Sequence, residues 1–224
     1  MHSLTTGLVD LVLGRVCAGC EEPGSILCLS CEADLRPRPR WRRDLDLTDL
    51  VAGLRIPVAC ALDYRGSVRN VLFRYKDHGI RGLANALAPA LGASIEYLSA
   101  SHPPLNSDPI LVPIPTRRVN RRRRGFDHIR LLAKTSTIRS RGLKVSSILR
   151  DTRSDQGSKR LGAADREVFA SGAFTTTSGL PSLQRSVFVV DDIVTTGATA
   201  REAVATLLLA GVHVAGVATV AGTP

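Results

Sequence analysis

The segment from Val187 to Ala200, VFVVDDIVTTGATA, constrains this chain most. Its opening run, Val187 to Val190, is continuously apolar and reads as a central parallel strand buried on both faces. It runs into two adjacent carboxylates, Asp191 and Asp192, then a turn of small residues, then a helix predicted over Thr199 to Ala210. Thr195, Thr196, Gly197, Ala198 and Thr199 place hydroxyls and free amides at a helix N-terminus. Unpaired N–H groups and the helix dipole favour an anion there. Gly197 lets backbone and anion approach closely. In open α/β sheets ligands bind at the carboxyl ends of strands, where the diacid stands. Two carboxylates beside a phosphate cup suit sugar hydroxyls and a hard cation such as Mg²⁺.

The surrounding chain alternates strand and helix signals. Strands are predicted over Val58 to Tyr64, Ile110 to Ile114, Val145 to Leu149 and Val212 to Val220. Arg65 to Leu98 reads mainly helical, with apolar residues at helical spacing through Ile80, Leu83, Leu87 and Leu91. Another helix is predicted from Phe126 to Ser140. This alternation argues a parallel α/β sheet flanked by helices. Arg36 to Arg43, RPRPRWRR, reads as an irregular basic connector because its prolines break helix and ladder alike. Three parts follow: 1–35 with four cysteines, 36–57 as connector, and 58–224 as the α/β domain. Residues 151–171 are too polar for core and too long for a turn, which suits a lid that excludes water from the ligand.

Charge points the same way. The chain of 224 residues carries 30 basic and 20 acidic residues, formally +10. Only four of the basic residues are lysines (76, 134, 144 and 159); the arginine forks suit phosphate. Six arginines, at 117, 118, 121, 122, 123 and 124, crowd the turn after the Ile110 strand. That turn leaves the same sheet edge as the Thr/Gly cup and can hold a pyrophosphate bidentately. Aromatics at 4% exclude a stacking surface for single-stranded nucleic acid. No G-x-x-x-x-G-K-[ST], G-x-G-x-x-G after a strand, G-x-S-x-G or H-E-x-x-H occurs. No run of eighteen apolar residues supports membrane insertion. Leu4 to Val16 carries Asp10 and Arg15 and makes a poor signal peptide, so a cytoplasmic protein is expected.

Cys17, Cys20, Cys28 and Cys31 form two C-x2-C pairs seven residues apart. Paired knuckles suit a tetrahedral, structural Zn²⁺, with an iron–sulfur cluster as the rival. So short a segment buries no core of its own, and metal binding supplies its folding energy. Cys60, alone in an apolar strand, reads as a small core residue. His78 and His128 read as surface or helix residues, not as catalytic bases.

VVDDIVTTGAT resembles the 5-phosphoribosyl 1-pyrophosphate (PRPP) signature of type I phosphoribosyltransferases. With the four cysteines, LDYRGSVRNVLFRYKDHG (Tyr64, Gly66, Lys76 and Gly79 in register) and VPIP…RRGF (Arg124, Gly125, Phe126), the chain resembles the ComF family. Gln156, Arg166 and Gly172 to Phe174 resemble that family's mobile loop; Asp127 and Phe169 stand where the family carries asparagine. The resemblance implies a type I phosphoribosyltransferase-like sheet behind a zinc knuckle. It implies that Asp191 and Asp192 hold the ribose hydroxyls as the catalytic pair, and that 195–199 wrap the 5-phosphate. Thr116, Arg117, Arg118, Arg124 and Lys76 would receive the pyrophosphate. The implied function is transfer or recognition of a phosphoribosyl group with Mg²⁺, in DNA uptake or nucleotide salvage. The alternative is a PRPP or nucleotide sensor, or an adaptor contacting DNA or a DNA-uptake protein, since a fold alone does not fix function.

Overall fold

A computed structural model describes residues 16–104, 109–139, 143–153, 172–177 and 185–223. Its centre is a six-stranded sheet. β1 (Arg40–Asp46) runs antiparallel to β2 (Arg55–Asp63), and the remaining neighbours are parallel. With β3 (Ile110–Pro113), β4 (Lys144–Val145), β7 (Ser186–Val194) and β8 (His213–Gly222), the spatial order is β1-β2-β8-β7-β3-β4. β5 (Leu149–Asp151) and β6 (Phe174–Thr176) pair separately as a short antiparallel ribbon. The chain is therefore α/β, with a mixed, mostly parallel sheet.

After a short first helix, α1 (Leu29–Asp34), in the cysteine segment, helices cover both faces, as an all-buried parallel sheet requires. One face carries α2 (Gly66–Asp77), α3 (Ala84–Ser101) and α5 (His128–Arg139). Their Val71, Leu72, Leu87, Leu91 and Leu132 pack with Phe188, Val190 and Val220 of the sheet. The opposite face carries α6 (Ala198–Leu209), whose Ala203, Val204 and Leu207 meet Val187, Val189 and Val217. Each fully buried Val, Leu or Phe side chain contributes about 1.5–3 kcal/mol, so these two clusters hold the sheet in place. Val187 to Val190 are all fully buried, as the continuous apolar run demands.

The chain leaves β3 towards β4 on one side, and later returns through β7 to β8 on the other. The gap between the carboxyl ends of β3 and β7 is the topological switch point, where such sheets open a crevice.

Four sequence expectations change. Residues 40–43 are not an irregular connector but the start of β1. Charged residues are tolerated there because an edge strand meets solvent, while Leu45 and Leu47 anchor it in the core. The arginine turn contains a helix, α4 (Arg118–Arg124), that buries none of its residues. Arginine is a good helix former, and Gly125 at φ 76° stops the helix in the left-handed conformation few other residues accept. The single strand predicted over 145–149 divides at Ser146, whose amide bonds the Leu111 carbonyl, so β4 joins the main sheet and β5 the ribbon. Likewise 65–98 divides at Gly79, which sits at φ 69°. Among the described residues no helix is long and apolar enough to cross a membrane.

Candidate anion-binding cleft and cysteine cluster

A cleft of about 400 Å³ opens at the switch point. Its floor is the end of β7, its far wall the 195–199 turn, and its near wall the 114–117 turn with α4 and the start of α5. Asp191, Asp192 and all of Thr195 to Thr199 line it, together with Thr116, Arg117, Arg124 and Lys76. Of the expected pyrophosphate-side residues, only Arg118 lies elsewhere: it lines a separate cavity with Arg121 and Arg130. Helix formation by 118–124 turns it away. Gln156 and Arg166 lie outside the described residues, as does most of the expected lid.

The cup is built by local geometry. Gly197 is the N-cap of α6 at φ 85°, and brings no side chain to cap the helix. A Cβ at that position would lie 2.8 Å from Leu45 Cδ2, so β1 closes against a residue that has none. Thr195, Thr196 and Thr199 are exposed, and Ala198 N–H donates to Thr196 Oγ1 at 3.3 Å. Arg43 of β1 donates to the Thr196 carbonyl at 3.1 Å. The basic stretch read as a connector thus helps to shape the cup.

The two carboxylates have different surroundings. Strand alternation sends neighbouring side chains to opposite faces. Asp192 is 1% exposed and faces the helices, with Lys76 Nζ 3.1 Å from Oδ2 and 3.4 Å from Oδ1. His128 Nε2 lies 3.3 Å from the same Oδ2. Burial favours the neutral acid, but Lys76 and His128 outweigh it and hold the Asp192 carboxyl well below its usual range. Asp191 is half-buried. Burial first, then the Asp192 charge, pushes its carboxyl well above the usual range. Lys76 is held protonated: burial opposes its charge, but Asp192 and Asp191 together raise it.

Sequence reasoning missed two groups. His128 is 3% exposed in the cleft wall; its Nδ1 lies 2.9 Å from Thr116 Oγ1 and 3.2 Å from Arg124 Nη1. The signal was its place at the start of a helix leaving the arginine turn, which faces the same sheet edge. Arg153 also lines the cleft, paired with Asp151 through Nε at 2.9 Å and Nη2 at 2.5 Å. Four cations, Lys76, Arg117, Arg124 and Arg153, thus face two carboxylates. Arginine crowding is visible at Arg117, where burial and then Arg153 lower the guanidinium's proton affinity. Arg124 Nε is buried without a hydrogen-bond partner, while His128 Nε2 and Asp192 Oδ2 are buried against one another at 3.3 Å. An unmet buried polar atom is costly, and the one on Arg124 lies in the wall of a cleft suited to a polar ligand.

The cysteines converge as their spacing predicts. The sulfurs of Cys17, Cys20, Cys28 and Cys31 all lie within 4.8 Å of one another, with Cys20 and Cys28 3.6 Å apart. A tetrahedron of thiolates around zinc puts sulfurs about 3.8 Å apart. An iron–sulfur cube needs them spread wider, so the spacing favours a single ion. Gly19 and Cys28 amides each donate to Cys17 Sγ at 3.3 Å. Burial opposes the Cys17 thiolate, but these amides lower its pKa to about 6. Burial and the neighbouring thiols push Cys31 the other way. Four sulfurs gathered this closely are a donor set that fits a cation, and the four cysteines can hold a structural zinc ion. Gly19 is required by space: a Cβ there would lie 2.5 Å from Cys31 Sγ. Cys60 is buried in β2, as expected of a core residue.

The fold and its two sites define an α/β protein with an arginine-walled cleft and a four-cysteine knuckle. No family model matches the chain, and no curated protein matches it.

Proposed function

We propose that the cleft binds PRPP with Mg²⁺ and that the chain is a phosphoribosyltransferase-like protein of the ComF type. The observation that carries this reading is the convergence in one cleft of a helix-terminal cup, a diacid and four cations. A 5-phosphate suits the 195–199 amides and hydroxyls. A ribose suits the space over Asp191, which lines the cleft as a half-buried carboxylate. A pyrophosphate suits Thr116, Arg117, Arg124 and Lys76 on the near wall.

The catalytic demand on such a site is modest. The bond from ribose C1 to pyrophosphate oxygen breaks, its electron pair leaves with pyrophosphate, and a nitrogen acceptor forms the new bond at C1. Asp191 and Asp192 place negative charge beside a ribosyl centre that turns cationic. Arg117 and Arg124 hold the charge on the departing group. Positioning and fixed electrostatics supply most of the rate. Asp191 is the half-buried carboxylate that would hold a Mg²⁺ ion, which when bound would supply neutralising charge for phosphate oxygens.

The test is calorimetric titration of the metal-replete protein with PRPP and Mg²⁺, beside a double Asp191→Ala/Asp192→Ala variant. Saturable binding lost in the variant is expected; absence of binding to the parent protein overturns the reading. Pyrophosphate release with nucleobases or amines then separates a transferase from a PRPP sensor in a DNA-handling assembly.

A further inference from the structure

One helix joins the cysteine knuckle to the cleft. α2 carries three stripes. Val68, Val71, Leu72 and Tyr75 enter the core. Ser67, Asn70 and Arg74, at the i, i+3, i+7 spacing of a single face, meet the knuckle. Ser67 Oγ donates to Asp34 Oδ2 at 2.6 Å, Asn70 Nδ2 to the Gly19 carbonyl at 2.8 Å, and Arg74 Nη2 to Glu21 Oε1 at 2.7 Å. The last turn of the same helix reaches the cleft. Lys76 bonds Asp192, Tyr75 donates to the His128 carbonyl at 2.6 Å, and Asp77 accepts from Arg123 and Arg124 at 3.2 and 3.3 Å.

One of the knuckle contacts falls within the cysteine cluster itself. Gly19 lies between Cys17 and Cys20; its amide donates to Cys17 Sγ and its carbonyl accepts from Asn70. A Cβ on Gly19 would meet both Cys31 and, at 3.2 Å, Ser67. The loop that would wrap the metal is thus the loop that seats α2. From Asn70 to Lys76 the helix rises only about 9 Å, too short a span to bend out a displacement.

We propose that the knuckle positions the cleft. Asn70 and Arg74 are positioning residues that fix Lys76 and Asp77 through α2, so that metal at the four cysteines and an anionic ligand in the cleft favour one another. Coupling between two sites is reciprocal: whatever factor the metal adds to ligand affinity, the ligand adds to metal affinity. A factor of about 5–10 falls within the usual range for such coupling. Only the ligand arm of this inference rests on the PRPP reading.

Two measurements on the full chain test it. The first needs no ligand. Amide hydrogen exchange is compared between zinc-loaded protein and protein treated with a chelator. Faster exchange is expected in 74–78 and in α4 as well as in the knuckle; change confined to 17–35 overturns the proposal. If the stripped protein unfolds throughout, the double variant Asn70→Ala/Arg74→Ala with its zinc retained decides. It should show the same faster exchange in 74–78 and α4, and exchange like the parent's overturns the proposal. The second measurement is zinc transfer to a chromogenic chelator with and without saturating Mg²⁺-PRPP. Retention should rise about 5-fold in the parent protein, and not in the Asn70→Ala/Arg74→Ala variant. Failure of PRPP to bind the zinc-loaded protein would remove the PRPP reading while leaving the exchange result to decide the coupling. Binding without any change in zinc retention overturns the coupling alone.

Discussion

Lys76→Met isolates the most consequential contact in the cleft. Methionine keeps most of the apolar stem and removes the ammonium. Asp192 then stays buried at 1% exposure with His128 as its remaining neighbour. At the observed 3.1 Å, an effective dielectric of about 20 gives an attraction of about 5 kcal/mol. The Lys76 side chain is 37% exposed, so solvent screens part of that, and the expected loss at neutral pH is about 2–3 kcal/mol. The pH dependence discriminates. In the parent protein Asp192 is depressed below its unfolded value of 3.8, so its stabilisation is fully present above that value and is lost only as pH falls through the folded one. In the variant, burial, the largest influence on this carboxyl, is no longer offset by Lys76 and should lift the folded Asp192 above its unfolded value. The unpaired carboxylate then costs most when ionised, and protonation relieves it. The deficit should therefore shrink as pH drops from about 8 to about 5.5, measured by urea unfolding of both proteins at fixed zinc. A deficit that is constant with pH would refute the argument, because lost packing does not titrate.

Asp191→Asn should act in the opposite direction. Asp191 is raised in the folded state, so its penalty is absent below 3.8 and grows as pH rises to the folded value; the variant should gain about 1 kcal/mol at pH ~7.5 in urea melts and lose Mg²⁺-dependent PRPP binding by calorimetry. A loss of stability there would contradict the repulsion between the two carboxylates. Gly197→Ala adds a methyl 2.8 Å from Leu45 at φ 85° and should cost about 1–3 kcal/mol in the same melts; adding Leu45→Ala should relieve the clash but not the backbone strain. Gly19→Ala, with its methyl 2.5 Å from Cys31 Sγ, should lower zinc per chain in a chromogenic metal assay; a full zinc complement would show that the knuckle closes by another path.

The parts of this molecule legible in its sequence are those fixed by short-range rules. Val187 to Val190 announced a central strand because a continuous apolar run bounded by turn signals fits an element buried on both faces. The C-x2-C pairs announced a four-sulfur cluster because two short turns leave the thiols little choice of where to meet. Long-range pairing was not legible. Nothing in RWRRDLD says that an edge strand would return to β2 and present Arg43 and Leu45 to the 195–199 turn, since its side chains follow solvent on one side and core on the other. His128 was read as an ordinary helix residue because a lone histidine carries no pattern. Its role depends on Asp192, 64 residues along the chain, arriving 3.3 Å away. The adjacent aspartates show the same limit in a sharper form. As letters they are equivalent, and the family resemblance treats them as one pair. The pleat separates them, giving Asp192 to Lys76 and His128 on the helical side and leaving Asp191 half-buried at the cleft. The identity of the site thus lies in the motif, but the division of tasks within it lies in which face of β7 each carboxylate occupies.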